Sequence, residues 1–408
     1  MEPMSSRIRD YAWGSRSVLA ELQGRPVPSD GPEAELWLGA HPGSPSSVEH
    51  NGQPVSLIDL LAAEPRRWLG DEVVARFGAR LPFLLKVLAA ERPLSLQVHP
   101  NSEQARAGYA AEQARAASTE PAEQAEQADP AGRVLPPRNY VDPYHKPEML
   151  VALSPFEALC GFRDPKVSAD VFEAFRVPTL DPVVAALRTG PEGLREAVQL
   201  LLTWPEADRA ALVDAVVTAD VASDFAPQAA LARQLAGQYP ADPGVLVALL
   251  LNHVSLAPGE AIWMPAGNLH AYLRGAGVEL MATSDNVLRG GLTPKHVDVP
   301  ELLRVLCFEV LDDPVVASVP VTPGVVTWPI EIDDFALHSV RLDEVTSQVR
   351  LTPTGPRVVL CVAGRIEVGD AAGTIAISQG QAAFGAADGG PLTLSGAGEA
   401  YVASVGLS

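Results

Sequence analysis

The segment LSLQVHP, residues 94–100, sets Gln97 and His99 two positions apart. On a strand, residues two apart face one side, so an amide and an imidazole would stand together, with Leu94, Leu96 and Val98 opposite. Two later stretches supply groups of the same kind: Glu148 in HKPEM and His270 in PAGNLHAYL. Pro147 stiffens the backbone beside Glu148 and biases Lys146 toward an extended conformation. His270 follows the Ala266-Gly267 turn signal, where a strand restarts. Two imidazoles, one carboxylate and a neutral amide suit a borderline divalent ion, zinc first. A site with a single carboxylate keeps net positive charge, which favours polarising a substrate oxygen over a purely structural ion. The ordinary alternative stays open, because any one of the eight histidines is more often structural than a ligand.

A second stretch, VELMATSDNVLRGGLTPKHVDV, gathers Glu279, Asp285, Asn286, Arg289 and Lys295. Gly290-Gly291 lets the backbone bend so that Arg289 can point away from its strand. The cationic pair Arg289 and Lys295 suits an anionic group, arginine being the better match for phosphate oxygens. A solvated, salt-bridged loop is the competing reading. The glycine pair lacks the GxxxxGK[ST] form, and no Rossmann fingerprint occurs in the chain.

The elements that must position these groups are mostly strands. Residues 1 to about 100 read as short strands and turns, with a helix over SLIDLLAAEPRRWLG and Ser56 as its N-cap. LPFLLKVLAAERPLSLQVHP reads as two apolar strands joined at Glu91-Arg92-Pro93. The Ala/Gln-rich stretch over 102–133 favours helix in its first half, and Pro121 and Pro130 break the second. From about Pro165 to Leu251 the apolar spacing is helical, with Asp or Pro at the starts and Gly or Pro at the ends. Strands resume from Asn252, and Pro323 to Ser408 is all short strands and glycines. The expectation is a mainly β protein with two barrel-like halves and a helical insertion.

Composition narrows the function. The 408 residues are 47% hydrophobic, ample for a packed core. A net charge of −20 argues against nucleic acid or an anionic membrane as partner. It also requires a local basic cluster if the substrate is a phosphate ester. Cys160, Cys307 and Cys361 are far apart, so they read as buried small residues in a reducing compartment. MEPMSSRIRDYAWG has no signal-peptide core, and the longest apolar run, Val245 to Leu251, is far short of a span. A soluble cytoplasmic protein, monomeric in view of its size and charge, is expected.

Taken together, SLQVHP, HKPEM, PGEAIWMPAGNLHAYL and SDNVLRGGLTPKHVDV resemble the type I mannose-6-phosphate isomerases (phosphomannose isomerases). YAWGS, ELWLGAHP, PPRNYVDPYHKPEM and VVLCVAGRIEV extend the resemblance, in order, over the whole chain. It implies a cupin-like fold: a zinc-binding catalytic barrel over 1–155 and 252–315, a helical domain over 156–251, and a cupin-like C-terminal domain over 316–408. It implies one zinc ion per subunit, on Gln97, His99, Glu148 and His270. It implies a sugar-phosphate substrate met by Arg289, Lys146, Lys295, Glu279, Tyr272, Ser95 and Trp13, with Asp285 nearby. Tyr144 stands where the family often has asparagine, and residues 101–138 have no clear counterpart.

The implied reaction interconverts mannose 6-phosphate and fructose 6-phosphate through an enediol. Zinc and Arg289 would stabilise charge developing on oxygen. Glu279 is the first candidate for the base, with His145 and Lys146 as alternatives; Lys295 and Ser95, with Arg289 or Lys146 as a further contact, would hold the phosphate. Two rivals are an Fe(II) oxygenase of the same fold and a non-catalytic sugar-phosphate binder. A fourth protein ligand in Gln97 argues against the first, and retention of Arg289 and all four ligands argues against the second. The C-terminal domain has no HxH pair and is expected to be structural.

Overall fold

In a computed structural model, residues 1–118 and 138–407 are described, along with the strand pairs 127–128 and 134–135. Two eleven-stranded antiparallel sheets are built from the described residues. The first runs in the order Val315–Val316, Ala261–Met264, Glu148–Ala152, His270–Ala282, Phe83–Ala90, Glu35–Leu38, Ile8–Arg9, and is extended by Leu96–Val98, Leu288–Gly291, Phe156–Phe162 and Leu251–Leu256. Its axis is His270–Ala282. The first part of that strand pairs with Phe156–Phe162 and Leu96–Val98, and the rest with Glu148–Ala152 and Phe83–Ala90. The corner lies at Gly275, with φ +121, where a Cβ would stand 2.6 Å from the Pro155 carbonyl oxygen. Only glycine fits there.

Pairing fixes which face each residue takes. Trp37, Lys86, Glu279, Leu150 and Ile262 are successive cross-strand partners, and Leu84, Met281, Glu148 and Met264 form the next row. These inner positions join a lining of Leu88, Ala90, Phe156, Ala158, Cys160 and Tyr272. The alternate positions, including Leu85, Val87, Met149, Val278 and Leu280, pack against Phe335, Leu337, Val358 and Leu360 of the second sheet. With both faces covered, FLLKVLAA is buried throughout, which explains its lack of alternation.

The second sheet has Leu392–Val405 and Thr354–Asp370 at its centre. It also takes in Glu2–Ser5, Ser47–His50 and Gln53–Ser56, joined through Ala382–Gly385 in the register Glu2↔Phe384 and Met4↔Val48. Part of the stretch 1–155 is therefore hydrogen-bonded into the C-terminal sheet.

Helices run from Pro165–Ala174 to Gly244–Ala248, as the spacing predicts, and Asp164 caps the first by accepting from the Lys166 N–H at 2.8 Å. Their core packs on Leu96, Val98, Leu159, Leu269 and Leu288. Leu96 and Val98 thus face the helices, leaving Gln97 and His99 to the opposite face. Leu94 does not join them; it packs with Trp13 against the barrel lining. Phe156–Phe162, at the head of the stretch 156–251, is a strand of the first sheet.

Two smaller expectations fail. The helix over 57–69 is broken into Leu57–Ala63 and Pro65–Leu69, because Pro65 starts a helix more easily than it continues one, and the Ser56 side chain makes no capping bond. Cys307 is exposed, whereas Cys160 and Cys361 are buried. The helix expected in the first half of 102–133 is present as Ser102–Ser118; most of its second half lies outside the described residues. No helix among the described residues is long and apolar enough to cross a membrane.

Candidate active site

His99, Glu148 and His270 converge with ligand atoms all within 4.8 Å of one another, and all three are buried. His99 Nε2 lies 3.4 Å from Glu148 Oε1, and His270 Nε2 lies 3.3 Å from Glu148 Oε2. The other nitrogen of each ring is committed. His99 Nδ1–H donates to the Asn286 carbonyl at 2.8 Å, and His270 Nδ1–H donates to the Asn268 carbonyl at 3.0 Å. A neutral imidazole has one ring proton, so both Nε2 atoms carry lone pairs. They are buried without a hydrogen-bond partner, aimed at the oxygens of a carboxylate. Lone pairs facing a carboxylate repel it unless a cation lies between them. The set therefore fits a divalent metal, with the main-chain carbonyls orienting the ligands.

Gln97 completes the row. It pairs with His270 on one side and Arg289 on the other, so the three side chains project from one face. This matches the alternation in SLQVHP.

Charges around Glu148 are dense. Lys146 Nζ lies 2.9 Å from its Oε1. Burial opposes ionisation of Glu148, but Lys146 and the imidazoles hold its pKa well below the ordinary carboxylate range. Burial, aided by Lys146, pushes His99 down to about 4. Its ring is thus neutral and ready to ligate.

A second buried network runs along the adjacent row. Glu279 accepts from Lys86 Nζ at 2.9 Å and from the Tyr272 hydroxyl at 2.7 Å. Lys86 also lies 3.6 Å from Glu35, which accepts from Trp37 Nε1 at 3.0 Å. Burial raises the Glu279 pKa against the pull of Lys86, with Glu148 and Glu35 adding to the rise. Burial also disfavours the Lys86 ammonium, yet the three surrounding glutamates keep its pKa above the ordinary lysine range. Sequence reasoning missed Lys86 and Glu35. The signal was present: Lys86 is the only charge in FLLKVLAA, and a lone lysine in a fully buried strand needs a partner.

Arg289 and Lys295 make no ion pair among the described residues. Burial lowers the Arg289 pKa, and Lys295 is lowered first by the charge of Arg289 itself. Two adjacent cations without a carboxylate between them, in a chain of charge −20, form the local basic site that a phosphate ester requires. Ser95 is half-buried just before Leu96–Val98. Trp13 stacks on Tyr11 with ring centroids 5.7 Å apart.

The remaining expected residues lie further out. His145 Nε2 is 3.0 Å from Asp334, so this ring turns toward the second sheet's half of the molecule. Asp285 Oδ1 lies 3.2 Å from His41 Nε2, while the Gly43 N–H donates to His41 Nδ1 at 3.0 Å. The His41 proton is therefore on Nε2, facing Asp285. Asn286, fully buried, accepts from the Val141 and Asp142 N–H groups and donates to the Asp142 and Tyr144 carbonyls. It ties the loop before Lys146 to the segment that holds His99.

Residues 1–165 match the family model for the phosphomannose isomerase type I catalytic domain. The chain is 37% identical over 404 residues to the mannose-6-phosphate isomerase of Escherichia coli (strain K12), covering 98% of each chain. It is 34% identical over 335 residues to that of Homo sapiens, covering 75% of this chain and 73% of the other. Among solved structures, a mutant phosphomannose isomerase from Salmonella typhimurium superposes with a TM-score of 0.85 at 34% identity, covering 100% of both chains. A mannose 6-phosphate isomerase bound with zinc and yttrium gives a TM-score of 0.83 at 34% identity, again over 100% of both.

Proposed function

The chain belongs to the type I phosphomannose isomerases, and on that premise we propose that it interconverts D-mannose 6-phosphate and D-fructose 6-phosphate with one zinc ion per subunit. The observation that carries the reading is the row Arg289–Gln97–His270: it joins the metal-competent cluster to the free cations across three strands. Gln97, His99, Glu148 and His270 would hold the zinc, which when bound supplies Lewis-acid polarisation of substrate oxygens.

The chain's own groups do the rest. Arg289, Lys295 and Ser95 hold the phosphate end, whose binding energy positions C1 and C2 in the barrel. Glu279 is the base. It removes the C2 proton of the open-chain aldose; the C2–H electron pair becomes the C1–C2 double bond and the carbonyl pair moves to O1, giving the enediolate. Passage of the O2 proton to O1 and return of the first proton to C1 give the ketose. A carboxylate with a raised pKa is suited to both steps. Tyr272 and Lys86 aim it. Lys146 neutralises Glu148, Trp13 walls the sugar, and Asp285 stands at the rim. His145, held by Asp334, takes no part in the proton transfer.

We place these roles on a cupin-like barrel over 1–155 and 252–315, flanked by a helical domain over 156–251 and a cupin-like domain over 316–408. The test is conversion of mannose 6-phosphate before and after chelation, then after zinc is restored. Activity that is lost and regained supports the reading. No conversion by zinc-loaded protein overturns it.

A further inference from the structure

Arg289 and Lys295 lie on a segment that the barrel alone does not hold. Among the described residues Leu288–Gly291 pairs only with Leu96–Val98, ending at Gly291↔Leu96. Beyond it, Leu292 is buried with φ +54, a left-handed conformation that a leucine keeps only where its surroundings enforce it. The surroundings come from the helical insertion. Asp242 Oδ2 accepts from the Thr293 N–H at 3.0 Å, while its Oδ1 accepts from the Gly244 N–H at 2.7 Å. One carboxylate thus bridges the start of the helix Gly244–Ala248 and the loop that leads to Lys295. The backbones touch here: a Cβ on Gly291 would stand 2.5 Å from Gly244 Cα, and one on Gly244 would stand 2.6 Å from the Leu292 nitrogen. Both positions must be glycine.

The partner strand is gripped from the same segment. The Tyr239 hydroxyl donates to the Pro93 carbonyl at 2.8 Å, two residues before Ser95. Tyr239 and Asp242 are themselves joined, since the Asp242 N–H donates to the Tyr239 carbonyl at 3.3 Å. A six-residue piece of the insertion, 239–244, therefore holds both strands of the ribbon at their shared end. Ser95 immediately precedes one strand, Arg289 lies on the other, and Lys295 follows on the loop beyond it.

We propose that residues 239–244 set the affinity of the substrate-phosphate site, with Tyr239 and Asp242 as positioning residues that touch no reacting atom. This rests on the reading of Arg289, Lys295 and Ser95 as the phosphate-binding groups. The insertion then fixes how well a phosphorylated sugar is held, while the barrel carries the proton transfer.

The test uses full-length, zinc-loaded protein with Asp242→Ala, Asp242→Asn, Tyr239→Phe and, as a control, Lys295→Ala. Inorganic phosphate serves as the competitive probe. For Asp242→Ala, KM for mannose 6-phosphate and the inhibition constant of phosphate should rise together by about ten- to a hundredfold. Zinc content and the slow turnover of unphosphorylated mannose should be unchanged, which general loss of structure would not allow. Asp242→Asn, which keeps the volume, and Tyr239→Phe should shift the same two constants less, and they decide the matter if Asp242→Ala does not fold. If Lys295→Ala weakens phosphate inhibition and the Asp242 and Tyr239 variants do not, the clamp is refuted and the phosphate site stands. If Lys295→Ala also has no effect, the phosphate reading fails and the clamp falls with it.

Discussion

His99 and His270 are locked in the same tautomer, each giving its Nδ1 proton to the main-chain carbonyl of an asparagine, with ring centroids 5.1 Å apart. Neither asparagine side chain is involved. The ligands are oriented by backbone, so their aim depends on whatever fixes the segments 265–270 and 283–288.

For the second of these, Asn286 is the fixing group. Asn286→Ala would leave the N–H groups of Val141 and Asp142 and the carbonyls of Asp142 and Tyr144 without their partner. The expected cost is about 2–4 kcal/mol in stability and roughly ten- to a hundredfold in zinc affinity. Competition with a chromophoric chelator measures the latter. Unchanged zinc affinity in a folded variant would show that the carbonyl is held by other means.

Zinc should stabilise the fold in proportion to its binding. At a free concentration about a thousand times Kd the gain is about 4 kcal/mol, visible as a higher thermal midpoint. In His99→Ala the midpoint should respond much less to added zinc. An equal response in both proteins would move the ion elsewhere.

Tyr272→Phe removes a donor from the ionised Glu279 while leaving the ring in place. Losing that bond disfavours the carboxylate, so its pKa rises and the acid limb of the kcat/KM profile should move to higher pH. Lys86→Met should move it further and cost about 3–5 kcal/mol, since Glu279 and Glu35 would be buried without their cation. An acid limb indifferent to both changes would remove Glu279 from the role of base.

His338, on Ala336–Leu342, has a buried Nδ1 without a partner, and burial lowers its pKa below the ordinary value of 6.5. Below pH 6.5 the unfolded chain binds a proton there that the folded chain refuses. Stability should therefore fall as pH drops from 6.5 toward the folded pKa. His338→Gln should flatten that part of the stability curve, measured by urea unfolding between pH 7 and 5. A parallel curve would mean that His338 protonates equally in both states.

The metal-capable grouping of His99, Glu148 and His270 was legible in part because local rules place its members. A two-residue alternation set the faces of Gln97 and His99, and Pro147 marked an extended entry to Glu148. The helices from Pro165 were legible through their spacing and caps. What stayed hidden depends on distant pairing. Glu35 reads as an ordinary acidic residue until Lys86 of the neighbouring strand reaches it diagonally, and His145 looks like a neighbour of the site until Asp334 claims its ring. Leu94 keeps the alternation of its segment but not the strand, so periodicity gave it the wrong neighbours. Residues 2–5 and 47–56 carry no local sign that their hydrogen-bond partners lie beyond residue 380.

That last pairing bears on the order in which a growing chain can fold. Glu2–Ser5 leaves a ribosome about 380 residues before its partner Ala382–Gly385 is made. The early strand must wait, with Ser47–His50 as its earlier companion among the described residues, through synthesis of the first sheet and the helices. Closing so long a loop is entropically slow and gives the second sheet a high contact order. The first sheet has all its strands but Val315–Val316 by residue 291 and can form first. Completion of the second sheet then covers an already formed first sheet, so a ribosome stalled before residue 380 would carry an assembled His99–Glu148–His270 cluster beside an unpaired strand edge, a target for chaperones and for misassociation.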